Sequence, residues 1–73
     1  ALDRQDRWDE ARTHYERALS LDPYHARSMN NLAVGLDRRG QTAAATALLE
    51  RAIAVAPGNG EFYVNYGTVL IRQ

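Results

Sequence analysis

The chain matches itself when it is slid along by 34 positions. Of the 39 residues that then overlap, eleven are identical, where chance at ordinary composition gives roughly two or three. The matches come in runs. Leu2-Asp3-Arg4 returns as Leu36-Asp37-Arg38, Glu16-Arg17-Ala18 as Glu50-Arg51-Ala52, and Pro23 as Pro57. Ala11/Ala45, Asn31/Asn65, Leu36/Leu70 and Arg38/Arg72 complete the set. A fixed period of this length marks a copied supersecondary unit. Such a unit hides its apolar face only by stacking on its neighbours.

Each copy reads as two helices. Met29, Leu32, Ala33 and Leu36 stand at i, i+3, i+4 and i+7, one face of a helix over residues 26–39. Ala45, Leu48, Leu49, Ala52 and Ile53 do the same over 42–55. Gly40 between them suits the residue just past a helix end, where positive φ is needed. Arg38 and Arg39 in the turn before it suit the negative end of the helix dipole. "PGNG" at 57–60 is a turn, and Asn59 is placed to cap a helix from about Gly60 to Arg72. In that helix Tyr63, Tyr66, Gly67 and Leu70 repeat the first apolar pattern. Upstream, Trp8, Ala11, Tyr15, Ala18 and Leu19 form the buried stripe of a helix that ends near Leu21, with Asp22-Pro23 as the break. By the repeat, residues 1–5 are the last turn of a preceding helix, and Asp6 takes the place of Gly40.

The expected fold is therefore all-α, an α-solenoid of antiparallel helix pairs about two repeats long. It forms one domain over residues 1–73. Residues 1–25 end a first repeat, 26–59 make a complete one, and 60–73 supply the first helix of a third. The chain starts and stops inside units, as does a fragment of a longer array or a short form completed by another chain.

Composition narrows the function. The nine basic residues, all arginine, balance nine acidic ones, which argues against a nucleic-acid surface built on bulk charge. No apolar run approaches the ~18 residues of a membrane span, so direct membrane insertion is not expected. With no cysteine there is neither a disulfide framework nor a thiolate metal site. His14 and His25 have neither the spacing nor the company of metal ligands. "APGNG" lacks the Lys-Ser/Thr end of a phosphate loop, and Ser20 and Ser28 have no base at a recognisable spacing. The reading is of a non-enzyme that needs no cofactor.

The repeat resembles the tetratricopeptide repeat family, whose 34-residue pattern runs W-x2-L-G-x2-Y, A-x3-F and P. Here one unit reads Met29-x2-Leu32-Ala33-x2-Leu36, Ala45-x3-Leu49 and Pro57. The unit before supplies Ala11-x3-Tyr15 and Pro23, and the unit after supplies Tyr63-x2-Tyr66-Gly67-x2-Leu70. Met29 and Tyr63 replace the family's tryptophan. The resemblance implies that the first helix of each unit lines a concave groove that holds an extended peptide or a partner helix. On that side the groove set is Arg27, Asn30, Asn31, Val34 and Arg38 in one copy, and Glu61, Val64, Asn65, Thr68 and Arg72 in the next. Asp37 and Ile71 stand beside them. Side-chain amides at Asn31 and Asn65 can each donate to and accept from a peptide backbone. Arg4, Arg38 and Arg72 make a column that attracts carboxylates. The mixed charge does not reproduce the strongly basic clamp that some members close on chaperone tails.

The function expected is a protein–protein interaction scaffold with a protein or peptide partner. Two alternatives stand beside it. One is a self-associating structural segment, a homo-oligomer built by end-to-end stacking or helix exchange. The other is an accessory segment of a larger enzyme. The Ala-, Arg- and Gly-rich helices are of a bacterial composition. The lack of cysteine favours the cytoplasm, with the bacterial periplasm as the alternative.

Overall fold

The structure, a computed structural model, describes residues 4–72, with side chains from Arg7 onward. Four helices follow one another: α1 (Arg4–Leu21), α2 (Ala26–Arg38), α3 (Thr42–Val55) and α4 (Gly60–Arg72). Among the described residues there is no strand. Each helix packs against the next, and α2 also touches α4. Among the described residues α1 and α3 do not approach each other. The shortest dimension is 17 Å, close to that of two layers of helices with axes about 8–10 Å apart. The helices thus lie in two layers, α2 beside α4 and α1 apart from α3. The α2–α4 layer, whose helices touch, is the inner one, and α1 and α3 form the outer.

Local chemistry sets the helix ends. Gly40 adopts φ +82°. Its N–H donates to the Asp37 carbonyl at 3.0 Å, while the Gln41 N–H donates to the Leu36 carbonyl at 2.9 Å. That double bond pattern closes α2 and turns the chain sharply into α3. Asn59 accepts the Glu61 N–H on its Oδ1 at 3.0 Å, the cap expected of it. His25, its counterpart 34 residues earlier, caps α2 in the same way, its Nδ1 accepting the Ser28 N–H at 3.2 Å. Asp22 Oδ1 accepts the Tyr24 N–H at 3.0 Å and holds the Pro23 turn.

Two apolar clusters fill the space between layers. Leu32, Ala33, Leu36, Ala45, Leu49 and Val69 form one, with Trp8, Tyr15 and Tyr66 on its margin. Met29, Ala52 and Phe62 form the other. Ala33, Ala45 and Ala52 are wholly buried, because small side chains let helices approach closely.

Two features differ from the sequence reading. The expected break at Asp6 is absent, and α1 runs unbroken from Arg4 to Leu21. A turn there needs a residue at ease with positive φ, as Gly40 is. Asp6 tolerates the left-handed region better than most residues but lacks the freedom of glycine, and no residue in the run Arg4-Gln5-Asp6-Arg7 resists a helix. Residues 1–3 lie outside the described residues. The second difference is the stripe of α4. Its buried residues are Phe62 and Val69, while Tyr63 and Leu70 are exposed. In α2 the matching residues Met29 and Leu36 are covered by α3. No described helix follows α4 to cover Tyr63, Gly67 and Leu70.

Candidate functional site: a polar groove along the inner helices

The groove is built on a ladder between α2 and α4. Asn65 Nδ2 donates to Asn30 Oδ1 at 2.8 Å. Two turns further on, Arg72 Nη1 donates to Asp37 Oδ2 at 2.5 Å. Both rungs join residues 35 apart, one repeat plus one position. Asn30 and Asp37 are buried, so each rung supplies a partner to a polar group withdrawn from water. The other Asp37 oxygen, Oδ1, is buried with no hydrogen-bond partner. Asp37, in the second Leu-Asp-Arg, thus has a structural role: it receives Arg72, which stands one repeat after Arg38.

Eight of the ten residues proposed for the groove line two adjoining depressions. The larger, of about 390 Å³, gathers Asn30, Asn31, Val34, Arg38, Glu61 and Asn65. The smaller, of about 170 Å³, adds Thr68 and Arg72 and shares Val34, Arg38 and Asn65. Arg27 and Val64 line neither. The residues are not equally available. Asn30 is buried, and Asn65 spends one hydrogen bond on it. Arg72 is held by Asp37, and the Thr68 hydroxyl donates to its own helix at the Val64 carbonyl, 3.0 Å away. Asn31 is half-buried and Arg38 exposed, and neither makes a side-chain bond among the described residues. The Arg4 side chain, the third of the arginine column, lies outside the described residues.

The sequence reading missed one wall. Trp8, placed there in the core stripe, is half-buried and packs on the first cluster, but it also lines the larger depression with Ala11 and Tyr15. It borders a further depression with Arg7, Gly35, Arg38 and Arg39. Arg39 stands 5.6 Å from the centre of the Trp8 ring, within cation–π range. Gly35 makes room for this ring, for a Cβ there would fall 1.9 Å from the Trp8 ring edge. The signal was present in the repeat: Trp8 aligns with Thr42 at the start of α3, outside the buried stripe.

On the outer side, Tyr66 Oη donates to Glu50 Oε2 at 2.8 Å, tying α4 to α3. That bond, then desolvation, then the negative charge of Glu50 raise the Tyr66 pKa above its ordinary 10.0. Among the described residues no group of three His, Cys, Asp or Glu side chains could hold a metal ion. No described helix is long and apolar enough to cross a membrane.

Antiparallel helix pairs stacked at a 34-residue period, with a polar groove along the inner layer, define a helical-repeat protein. Residues 1–57 match the sequence pattern of the tetratricopeptide repeat, and the chain belongs to that family. It is similar to human tetratricopeptide repeat protein 7B, with 38% identity over 65 residues. That match covers 89% of this chain and 8% of the relative, so the chain spans less than a tenth of that relative's length.

Proposed function

We propose that the chain is a non-catalytic protein-interaction module that holds a peptide or partner helix in the groove between α2, α4 and the Trp8 flank of α1. Its family is one of protein-binding scaffolds, and the groove extends that general role to particular residues. The observation that carries the reading is the pair Asn31 and Arg38. Both are polar and without a partner on the described chain, and they stand beside Val34 and the Trp8 ring. A free amide and a free guanidinium next to an apolar wall are suited to a peptide backbone and a carboxylate, with the wall taking a side chain.

A selection from a random peptide library on the immobilised chain tests this. Enriched peptides should bind Asn31→Ala and Arg38→Ala variants at least about tenfold more weakly than the parent chain. Helical circular dichroism should be unchanged. Equal binding by both variants would move the site elsewhere.

A further inference from the structure

The two links between repeats differ in chemistry. His25 and Asn59 stand 34 residues apart, and each caps the helix that follows it. His25 is followed by Ala26, but Asn59 is followed by Gly60. Before a glycine, a side-chain amide is most readily reached by the next backbone nitrogen, since no Cβ stands in the way. Asn59 and Gly60 are both exposed. That exposure does not depend on where the chain stops, for His25, which has a full repeat described after it, is exposed as well. The Gly60 N–H has no acceptor among the described residues. Asn59 Oδ1 reaches past it to accept the Glu61 N–H at 3.0 Å, which folds the carboxamide back along the Gly60 peptide. The same donor points at the oxygen on which negative charge gathers when the amide is attacked. The other asparagines, Asn30, Asn31 and Asn65, lie within helices, where the following N–H is bound to a carbonyl one turn earlier. None of them precedes a glycine.

We propose that Asn59–Gly60 is a site of self-modification, at which the folded chain converts slowly to aspartyl and isoaspartyl forms and so resets the start of α4. The Gly60 nitrogen gives its proton to hydroxide and bonds to Asn59 Cγ. The Cγ–Nδ2 bond breaks, and Nδ2 leaves as ammonia. The product is a cyclic imide, which water opens at either carbonyl. Cleaving the bond from Cγ to the Gly60 nitrogen restores the ordinary peptide with aspartate at 59. Cleaving the bond from the main-chain carbonyl to that nitrogen leaves isoaspartate, with the chain running through Cγ and longer by one methylene. Water is taken up and ammonia lost, and nothing is oxidised or reduced. The two products act oppositely on α4. Aspartate keeps an acceptor for the Glu61 N–H and adds negative charge at the positive end of the helix. Isoaspartate commits Cγ to the main chain, so the cap is lost. The turn it releases carries Glu61, which lines the larger depression, and Phe62, which belongs to the second apolar cluster.

The test incubates the full chain, folded, at mildly alkaline pH and maps it by mass spectrometry over time. The peptide holding Asn59 should gain the mass difference between an amide –NH2 and an acid –OH and divide into two chromatographic forms. The peptides holding Asn30, Asn31 and Asn65 should stay unchanged. Gly60→Ala should slow the conversion about tenfold. That variant keeps the fold, since Gly60 does not use positive φ and a Cβ there meets nothing within 4 Å. Conversion that runs as fast at Asn65, as fast in Gly60→Ala, or only after unfolding in urea overturns the proposal. The isoaspartyl form, separated by chromatography, should melt about 4–8 °C below the parent chain, the shift expected of a lost cap in a chain of this size. Asn59→Asp should melt no lower than the parent. An isoaspartyl form that melts with the parent means that the reaction leaves α4 as it was, and it overturns the claim that the helix start is reset.

Discussion

Arg72, half exposed at the end of α4, is paired with Asp37, whose side chain is only 6% exposed. The two ends of this ion pair therefore differ in what their loss costs. Removing Asp37 frees an arginine that water can solvate. Removing Arg72 strands a carboxylate that already has one oxygen without a partner. Arg72→Ala is expected to destabilise the chain by about 1–2 kcal/mol, more than an exposed ion pair contributes. Adding Asp37→Leu should recover most of that, since an apolar residue at this site needs no partner. Urea denaturation of the two variants checks both statements.

The neighbouring rung behaves as a neutral version of the same device. Asn30 is 2% exposed and its Oδ1 receives the Asn65 amide. Asn65→Ala leaves that acceptor buried without this donor, at a cost of about 1–2 kcal/mol. Asn31→Ala, on the free edge of the same helix, should leave the melting temperature nearly unchanged. A melting curve for each separates an asparagine that holds the fold from one available to a ligand.

That difference shows what the sequence could and could not convey. The period made the helices legible, and α3 and α4 begin and end where the apolar spacing and turn residues place them. The same period read Asn31 and Asn65 as equals, since position in a repeat carries residue type but not neighbours. Asn65 has the preceding inner helix α2 beside it, whereas no described inner helix precedes α2 on the side of Asn31. Tyr63 and Leu70 sit in the pattern of Met29 and Leu36 yet are exposed, for the same reason. At Asp6 the copy lacks the glycine that makes the turn. Trp8 was read as core because it falls at helical spacing with Ala11 and Tyr15 in the apolar stripe. Its second face shows only when Gly35 and Arg38 are brought against it.

On the outer surface the Tyr66–Glu50 bond predicts an alkaline effect. The bond and the adjacent carboxylate favour the neutral phenol, so the fold holds this proton more tightly than the unfolded chain does. The resulting stability is complete below the unfolded value near 10 and is lost as pH rises through the higher folded value. Tyrosinate absorbance should show Tyr66 ionising later than in Glu50→Gln. The melting temperature of the parent chain should fall more steeply above pH 10 than that of Tyr66→Phe. Parallel curves would mean that the bond does not persist in solution.

Gly35 offers the most direct handle on the groove wall. In the middle of α2 a glycine costs about 1 kcal/mol relative to alanine, so Gly35→Ala favours the helix itself. The added methyl cannot coexist with the present Trp8 position, however, because the ring edge lies 1.9 Å from where it would stand. The Trp8 side chain, half-buried and bordered by open depressions, has room to swing outward. The variant is therefore expected to keep its helical content while Trp8 emission moves to the red. Its thermal stability should change by less than about 1 kcal/mol, as the gain in helix propensity offsets the lost ring packing. Unshifted emission would mean that the tryptophan does not rest on Gly35 in solution, and the apolar wall of the groove would have to be redrawn without it.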